Sequence, residues 1–115
     1  MSKVTIVNLC DYKEQNREFL WKVDRSGPLG NPFIMYTEDD RDCVCDRYEE
    51  WFIALLEGER YTDQMARDTL ETMKKVLLEG DPIVLGCWCH PLRCHAETIK
   101  RWLENEVRSA EENNT

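Results

Sequence analysis

The chain of 115 residues is long enough for one domain around one hydrophobic core, and too short for two. Hydrophobic residues make up 42% and charged residues 33%, which excludes a largely disordered or membrane-embedded protein. With 15 basic and 23 acidic residues the formal net charge is −8, which opposes binding to nucleic acid. Residues 1–9 contain one basic residue and no long apolar run. We therefore expect no secretory signal, no membrane segment and a cytoplasmic chain.

The N-terminal third predicts two strands followed by a fixed loop. Residues 4–9 are rich in β-branched side chains, which is typical of a buried strand, and residues 19–23 form a shorter candidate. Residues 26–32 contain two glycines and two prolines, so a non-helical loop is expected there.

Two amphipathic helices are predicted next. The first has capping candidates at residues 37–40 and a stop at Gly58. Its apolar residues recur at helical spacing, at Val44, Tyr48, Trp51, Phe52, Leu55 and Leu56. The second has a cap at Thr62 and a stop at Gly80. Its apolar stripe is Ala66, Leu70, Met73 and Leu77.

The C-terminal third predicts a strand at residues 83–86, a compact loop at 87–94 and a third helix from about His95. Residues 111–115 are expected to form a disordered tail. The order of elements is typical of a single α/β domain spanning residues 1–115. We expect a small sandwich, in which about three helices cover a short and largely parallel sheet.

The loop between the last strand and the last helix concentrates chemically active side chains. Ligands of open α/β sheets bind beyond the carboxyl ends of the strands, and a helix N-terminus offers free N–H groups to an anion. The same position favours thiolates. Three interpretations of this loop remain open.

In the first interpretation the loop binds zinc. Thiolate and imidazole are suitable ligands, and the set is Cys87, Cys89 and Cys94 with His90 or His95. Cys43 and Cys45 could complete the shell. The spacing is not that of a common zinc finger.

In the second interpretation Cys87 is the nucleophile of a cysteine-dependent phosphatase and Arg93 clamps the phosphate oxygens. The strand-to-helix context fits, but Gly86, Cys94 and Pro91 depart from that family's loop.

In the third interpretation the thiols pack inward, and Arg93, His95 and backbone N–H groups hold an anionic ligand.

The sequence also resembles a family of small bacterial and phage domains of unknown function. The similarity lies in Val7-Asn8-Leu9, the turn Leu29 to Phe33, a Tyr48-x-x-Trp51 helix preceded by Arg41 or Arg47, and the loop Leu85 to His95. One departure is Cys10, which stands where that family usually has Arg. The resemblance implies a shared pocket and a phage origin, but no established reaction.

Together these patterns predict a pocket that binds or processes a small anionic, nucleotide-like or phosphorylated ligand. We expect Cys87 or Cys89 as thiolate, His95 as proton carrier and Arg93 as oxyanion clamp. The expected ligand-binding residues are Asn8, Asn31, Arg41 and Trp88. The alternative is a non-enzymatic protein whose acidic surface binds a host or regulatory protein, with any zinc being structural.

Overall fold

The computed structural model describes residues 3–10, 19–24, 27, 29–33, 35–57, 64–88 and 92–113. Its strands are β1 (Val4–Asn8), β2 (Phe19–Lys22) and β3 (Ile83–Cys87). Its helices are α1 (Arg41–Glu57), α2 (Gln64–Leu78) and α3 (Ala96–Asn113). Across these ranges no helix combines the length and apolar character needed to cross a bilayer. The expected stop at Gly58 and cap at Thr62 lie outside the described residues.

The sheet is parallel and is ordered β1-β3-β2. Because β3 is central, it pairs on both sides, with Asn8 opposite Cys87 in one ladder and Lys22 opposite Gly86 in the other. The strand starting at residue 83 is buried along its whole length, as expected for a central parallel strand. The prediction of a small α/β domain with a parallel sheet is confirmed. All three strands end at the same edge, which we call the carboxyl edge.

One face of β3 meets the helices. Strand side chains alternate between faces, so Ile83, Leu85 and Cys87 point the same way. All three belong to one continuous core that also contains buried residues of the three helices. From α1 these are Tyr48, Phe52 and Leu55, from α2 Ala66, Leu70, Met73 and Leu77, and from α3 Ala96, Ile99 and Leu103.

The helix predictions are confirmed with small changes at the ends. The full stripe predicted for α2 is buried. Helix α2 stops at Gly80, which adopts a left-handed φ of 97°. There the Gly80 N–H donates to the Leu77 carbonyl at 3.0 Å and the Asp81 N–H to the Val76 carbonyl at 3.2 Å, a Schellman arrangement.

The start of α1 and the end of α3 differ in detail from expectation. A single 3₁₀ turn, Glu38–Asp40, precedes α1, and the Asp40 carboxylate accepts from the amides of Tyr36 and Thr37. At the other end α3 continues to Asn113, so residues 111–113 of the expected tail are helical, and residues 114–115 lie outside the described residues. The Glu residues there are good helix formers, and this explains the extension.

Candidate functional site

A cavity of about 370 Å³ opens at the carboxyl edge, where the ends of β2 and β3 approach the start of α1 and the segment before α3. We call it the sheet-edge cavity. Crevices at this edge are where ligands bind in open α/β folds. Its volume lies within the range of small-molecule sites. Its lining residues are Asp24, Asn31, Phe33, Met35, Arg41, Val44, Cys45, Trp88, Arg93, Cys94 and His95.

Cys94 occupies the capping position of α3. Its backbone N–H donates to the Glu97 carboxylate at 2.9 Å, and the Glu97 N–H returns a bond to the Cys94 carbonyl at 3.0 Å. This is the backbone half of a capping box, and a carboxylate in the first turn is favourable there. The positive end of α3 therefore already faces an acidic group of its own helix.

His95 connects the segment before α3 to the end of β2. Its Nε2 lies against the Val23 carbonyl, and its Nδ1 lies 3.4 Å from the Cys94 Sγ. The imidazole also packs against the Tyr48 ring, with 4.8 Å between ring centroids. Because a carbonyl only accepts hydrogen bonds, Nε2 carries the proton and Nδ1 presents its lone pair to the thiol.

Tyr48 supports this arrangement from within the core. Its hydroxyl donates to the Leu29 carbonyl at 2.8 Å and is buried. Burial raises the pKa of Tyr48, and the negative charge that Cys94 carries when deprotonated acts in the same direction. The phenol therefore stays neutral and acts as a hydrogen-bond donor that fixes the loop beside the cavity.

Arg93 is held by carboxylates of α1. Its Nη1 contacts Asp42 Oδ1 at 2.9 Å and its Nη2 contacts Asp46 Oδ1 at 2.8 Å. The hydrogen bonds to Asp46 and then Asp42 raise the pKa of Arg93 further above its ordinary value. The expected oxyanion clamp is thus already engaged by two acidic side chains.

Arg41 has a comparable set of partners. It forms a two-point ion pair with Glu38, at 3.0 Å from Nε and 2.9 Å from Nη2, and its Nη1 donates to the Arg93 carbonyl at 2.9 Å. The hydrogen bond from Arg41 lowers the pKa of Glu38. Arg41 therefore ties α1 to the segment before α3 while lining the cavity.

The two asparagines have different positions. Asn31 lines the cavity and is buried, with its Oδ1 accepting from the Phe33 N–H at 2.9 Å. Asn8 is not among the lining residues. Its Nδ2 donates to the Trp88 carbonyl at 3.2 Å and its Oδ1 accepts from the Cys10 N–H at 2.8 Å. Asn8 therefore positions the backbone of Trp88.

Aromatic rings line the cavity at two points. Trp88 is 59% exposed, and its Nε1 donates to the Asp24 carboxylate at 2.9 Å. Phe33 follows the asparagine turn and contributes a second ring. Met35, Val44 and these rings make much of the lining apolar.

Cys87 is separated from this group. It is 1% exposed and belongs to the hydrophobic core, because it shares the helix-facing side of β3 with Leu85. Cys87 also does not line the cavity, so the cavity does not bring its thiol together with Arg93 and His95. The other expected ligands Cys89 and His90 lie outside the described residues, and within the described ranges no three His, Cys, Asp or Glu residues are grouped to hold a metal ion.

Several cavity residues were not predicted. Asp24 follows the end of β2 just as Trp88 follows β3, so the strand-end rule could have found it. Val44 and Cys45 lie three and four residues after Arg41, on the same helix face. The contact between Cys94 and His95 depends on the turn geometry before α3, which no sequence pattern revealed.

Fold and site together define a small α/β domain with a three-stranded parallel sheet and a cavity at its carboxyl edge. The family model of DUF4326, a domain of unknown function, matches residues 7–105, and the chain belongs to this family. The predicted resemblance to a family of unknown function is thereby confirmed. No curated protein and no solved structure matches the chain.

Proposed function

We propose that the sheet-edge cavity binds a small nucleotide-like molecule through its planar heteroaromatic part. The observation that carries the proposal is a cavity of about 370 Å³ in which two aromatic rings and several polar side chains converge. A mostly apolar pocket with few well-placed polar groups is the usual form of a small-molecule site.

The walls suit a flat ring. Trp88 and Phe33 offer aromatic surface, and stacking on such rings is sequence-tolerant among nucleobases because every base has a π-face. Asp24 fixes Trp88 through the indole N–H, so this wall is positioned before a ligand arrives. Asp24 and Asn31 place a carboxylate and an amide beside the rings, and a ligand would share them with the bonds that Asp24 accepts from Trp88 and Asn31 accepts from Phe33.

The charged side chains around the cavity favour recognition of the base over recognition of a phosphate. The two arginines at the cavity pair with Glu38, Asp42 and Asp46, and Asp24 adds a further carboxylate. A phosphate would have to compete with these acidic side chains. Nucleoside binding is therefore the stronger proposal, and the anionic group expected from the sequence stays a prediction.

The test compares nucleosides with their 5′-monophosphates and triphosphates by thermal shift and calorimetry. A ligand of the native state at a hundredfold excess over its Kd stabilises by about 2.7 kcal/mol. We expect adenosine, guanosine, cytidine or uridine to raise the Tm, and the phosphorylated forms to raise it less. Absence of any shift across the panel would refute the proposal.

Variants locate the site. Trp88→Ala should abolish the shift, and Trp88→Phe should retain most of it. Tyr36→Ala is the matched control, because Tyr36 is an exposed aromatic residue that does not line the cavity. A shift that survives Trp88→Ala unchanged would place the ligand elsewhere.

A second candidate function is binding of a basic partner protein. Tyr36 is 82% exposed and immediately precedes the acidic turn Glu38–Asp40. An exposed aromatic residue beside acidic side chains is a common centre of a protein interface. Affinity capture should then be lost with Tyr36→Ala and retained with Trp88→Ala, the opposite pattern to nucleoside binding. Capture that is insensitive to Tyr36→Ala would remove this candidate.

We propose a cytoplasmic location, which agrees with reduced cysteines. The described cysteines, Cys10, Cys43, Cys45, Cys87 and Cys94, form no disulfide with one another. Reduced thiols are the normal state in the cytosol. Fractionation of the producing cell tests this, and recovery in a secreted fraction would contradict it.

A further inference from the structure

We propose that Cys94 and His95 form a nucleophilic pair that attacks an electrophilic carbonyl carbon, such as that of an ester, entering the sheet-edge cavity. The inference goes beyond ligand binding and rests on the proposed function only in using the same cavity. It assigns the nucleophile to a different cysteine from Cys87 or Cys89, and it keeps His95 as the proton carrier.

The hydrogen bond of His95 to β2 determines which ring nitrogen is basic. The Val23 carbonyl accepts from Nε2, which fixes the proton on that nitrogen. The unprotonated Nδ1 then lies 3.4 Å from the Cys94 Sγ, within reach of the thiol proton. A nucleophile beside a base, with the base oriented by a third group, is the arrangement that activates a thiol.

The surroundings of the Cys94 thiol contain charges of both signs. Cys94 caps α3, and a helix N-terminus stabilises a thiolate. The acidic groups that oppose this effect are Glu97 at the cap and Asp24, which also lines the cavity. Tyr48, which is neutral, packs on the imidazole from the core side. The imidazolium formed by proton transfer would offset the negative charge of the thiolate beside it.

The sheet-edge cavity gives the Cys94 thiol its route to solvent. Cys94 is only 4% exposed, but it lines the cavity together with His95. Cys94 and Cys87 belong to the same buried cluster, but only Cys94 lines the cavity, which is therefore the route by which a small reagent would reach its thiol. Both residues are buried, with Cys94 4% and His95 9% exposed, so the cavity side is the one from which a substrate would approach them.

The chemical step balances within these groups. The Cys94 proton passes to His95 Nδ1, and the thiolate adds to the carbonyl carbon of the ester. The C–O bond breaks, and the leaving alcohol takes the proton back from the imidazolium. Cys94 is left as a thioester, which water hydrolyses to a carboxylic acid and the original thiol.

The experiment uses p-nitrophenyl acetate as the acyl donor and the full chain as the enzyme. Site-resolved mass spectrometry follows acetylation of Cys94 alongside that of Cys10 and Cys43, which are exposed and serve as internal references. We expect Cys94 to be acetylated at least about tenfold faster than either reference at neutral pH. A rate no faster than that of the two exposed cysteines overturns the proposal.

A variant tests the base separately. His95→Gln retains a donor for the Val23 carbonyl and removes the basic nitrogen, so Cys94 acetylation should fall by about tenfold or more. The rates at Cys10 and Cys43 should not change, and circular dichroism confirms the fold. A folded variant with unchanged Cys94 acetylation overturns the role of His95. If the variant does not fold, the rate at Cys94 relative to Cys10 and Cys43 in the wild-type chain tests the proposal.

The two proposals fail separately. Acetylation is measured without nucleoside, so rapid reaction of Cys94 in a protein that shows no nucleoside-induced shift supports the pair and refutes the nucleoside site. A nucleoside-induced shift with slow acetylation of Cys94 gives the reverse. Protection of Cys94 by adenosine would show that both use the same cavity.

Discussion

Replacing Tyr48 with Phe removes a single hydroxyl group from the core and leaves the aromatic ring in place. The ring is fully buried, and its hydroxyl donates to the Leu29 carbonyl at 2.8 Å. Phe fills almost the same volume, so no large cavity forms. The Leu29 carbonyl is left without this donor in the interior, which costs about 1–3 kcal/mol. A domain of this size has a total stability of about 5–15 kcal/mol, so the loss is readily measured.

The assay is urea denaturation at neutral pH, followed by circular dichroism and tryptophan fluorescence. Tyr48→Phe should lower the midpoint at an unchanged m-value. Tyr36→Phe is the matched control because Tyr36 is exposed, and it should stay within about 0.5 kcal/mol of the wild type. A Tyr48→Phe variant as stable as the control would show that the bond to the loop does not contribute.

The difference in stability between the wild type and Tyr48→Phe should depend on pH. Burial raises the pKa of Tyr48 above its ordinary value of 10.0. Above pH 10 the unfolded chain loses the phenol proton and the folded chain keeps it, so folding stability falls as the pH rises. The wild type should lose about 1.4 kcal/mol per pH unit relative to Tyr48→Phe in this range. A constant difference between the two proteins from pH 9 to 11 would refute the assignment.

Two further predictions concern α2 and its end. Leu70→Ala should destabilise by about 2–5 kcal/mol in urea denaturation, because Leu70 is buried in the core, whereas Leu78→Ala on the exposed side should change stability by no more than about 0.5 kcal/mol. Equal effects would contradict the assigned face. Gly80→Ala should cost about 1–2 kcal/mol because φ is 97°, and the exposed neighbour Glu79→Ala should have little effect. A Gly80→Ala variant of wild-type stability would contradict the left-handed turn.

The parts of the fold that could be predicted from sequence are those set by local periodicity. The stripe from Ala66 to Leu77 repeats at helical spacing and is buried. The run after Pro82 is apolar at every position, and β3 is buried on both sides. Parallel pairing followed from the helices between the strands. The order β1-β3-β2 did not, because it depends on how the crossover between β2 and β3 packs.

Within the site, the position of Cys87 could have been read from the strand itself. Side chains alternate along β3, so Cys87 shares the face of Ile83 and Leu85, and that face meets the helices. The spacing Cys94-x-x-Glu97 matches a capping box and could have indicated the start of α3. Neither signal reveals that the His95 Nδ1 faces the thiol, because this contact needs the Val23 carbonyl from a distant strand.

The electrostatics of the cavity could not be predicted, because they depend on pairing across the fold. Asp42 and Asp46 are one turn apart on α1, and both form ion pairs with Arg93, which is about half the chain away in sequence. In a chain with 23 acidic and 15 basic residues, an arginine near a cavity readily finds acidic partners. A basic residue in a loop therefore indicates an anion site only when no carboxylate of the protein forms an ion pair with it. Here Asp42 and Asp46 both pair with Arg93. This pairing is the reason that we propose recognition of the heteroaromatic part of a ligand rather than of its phosphate.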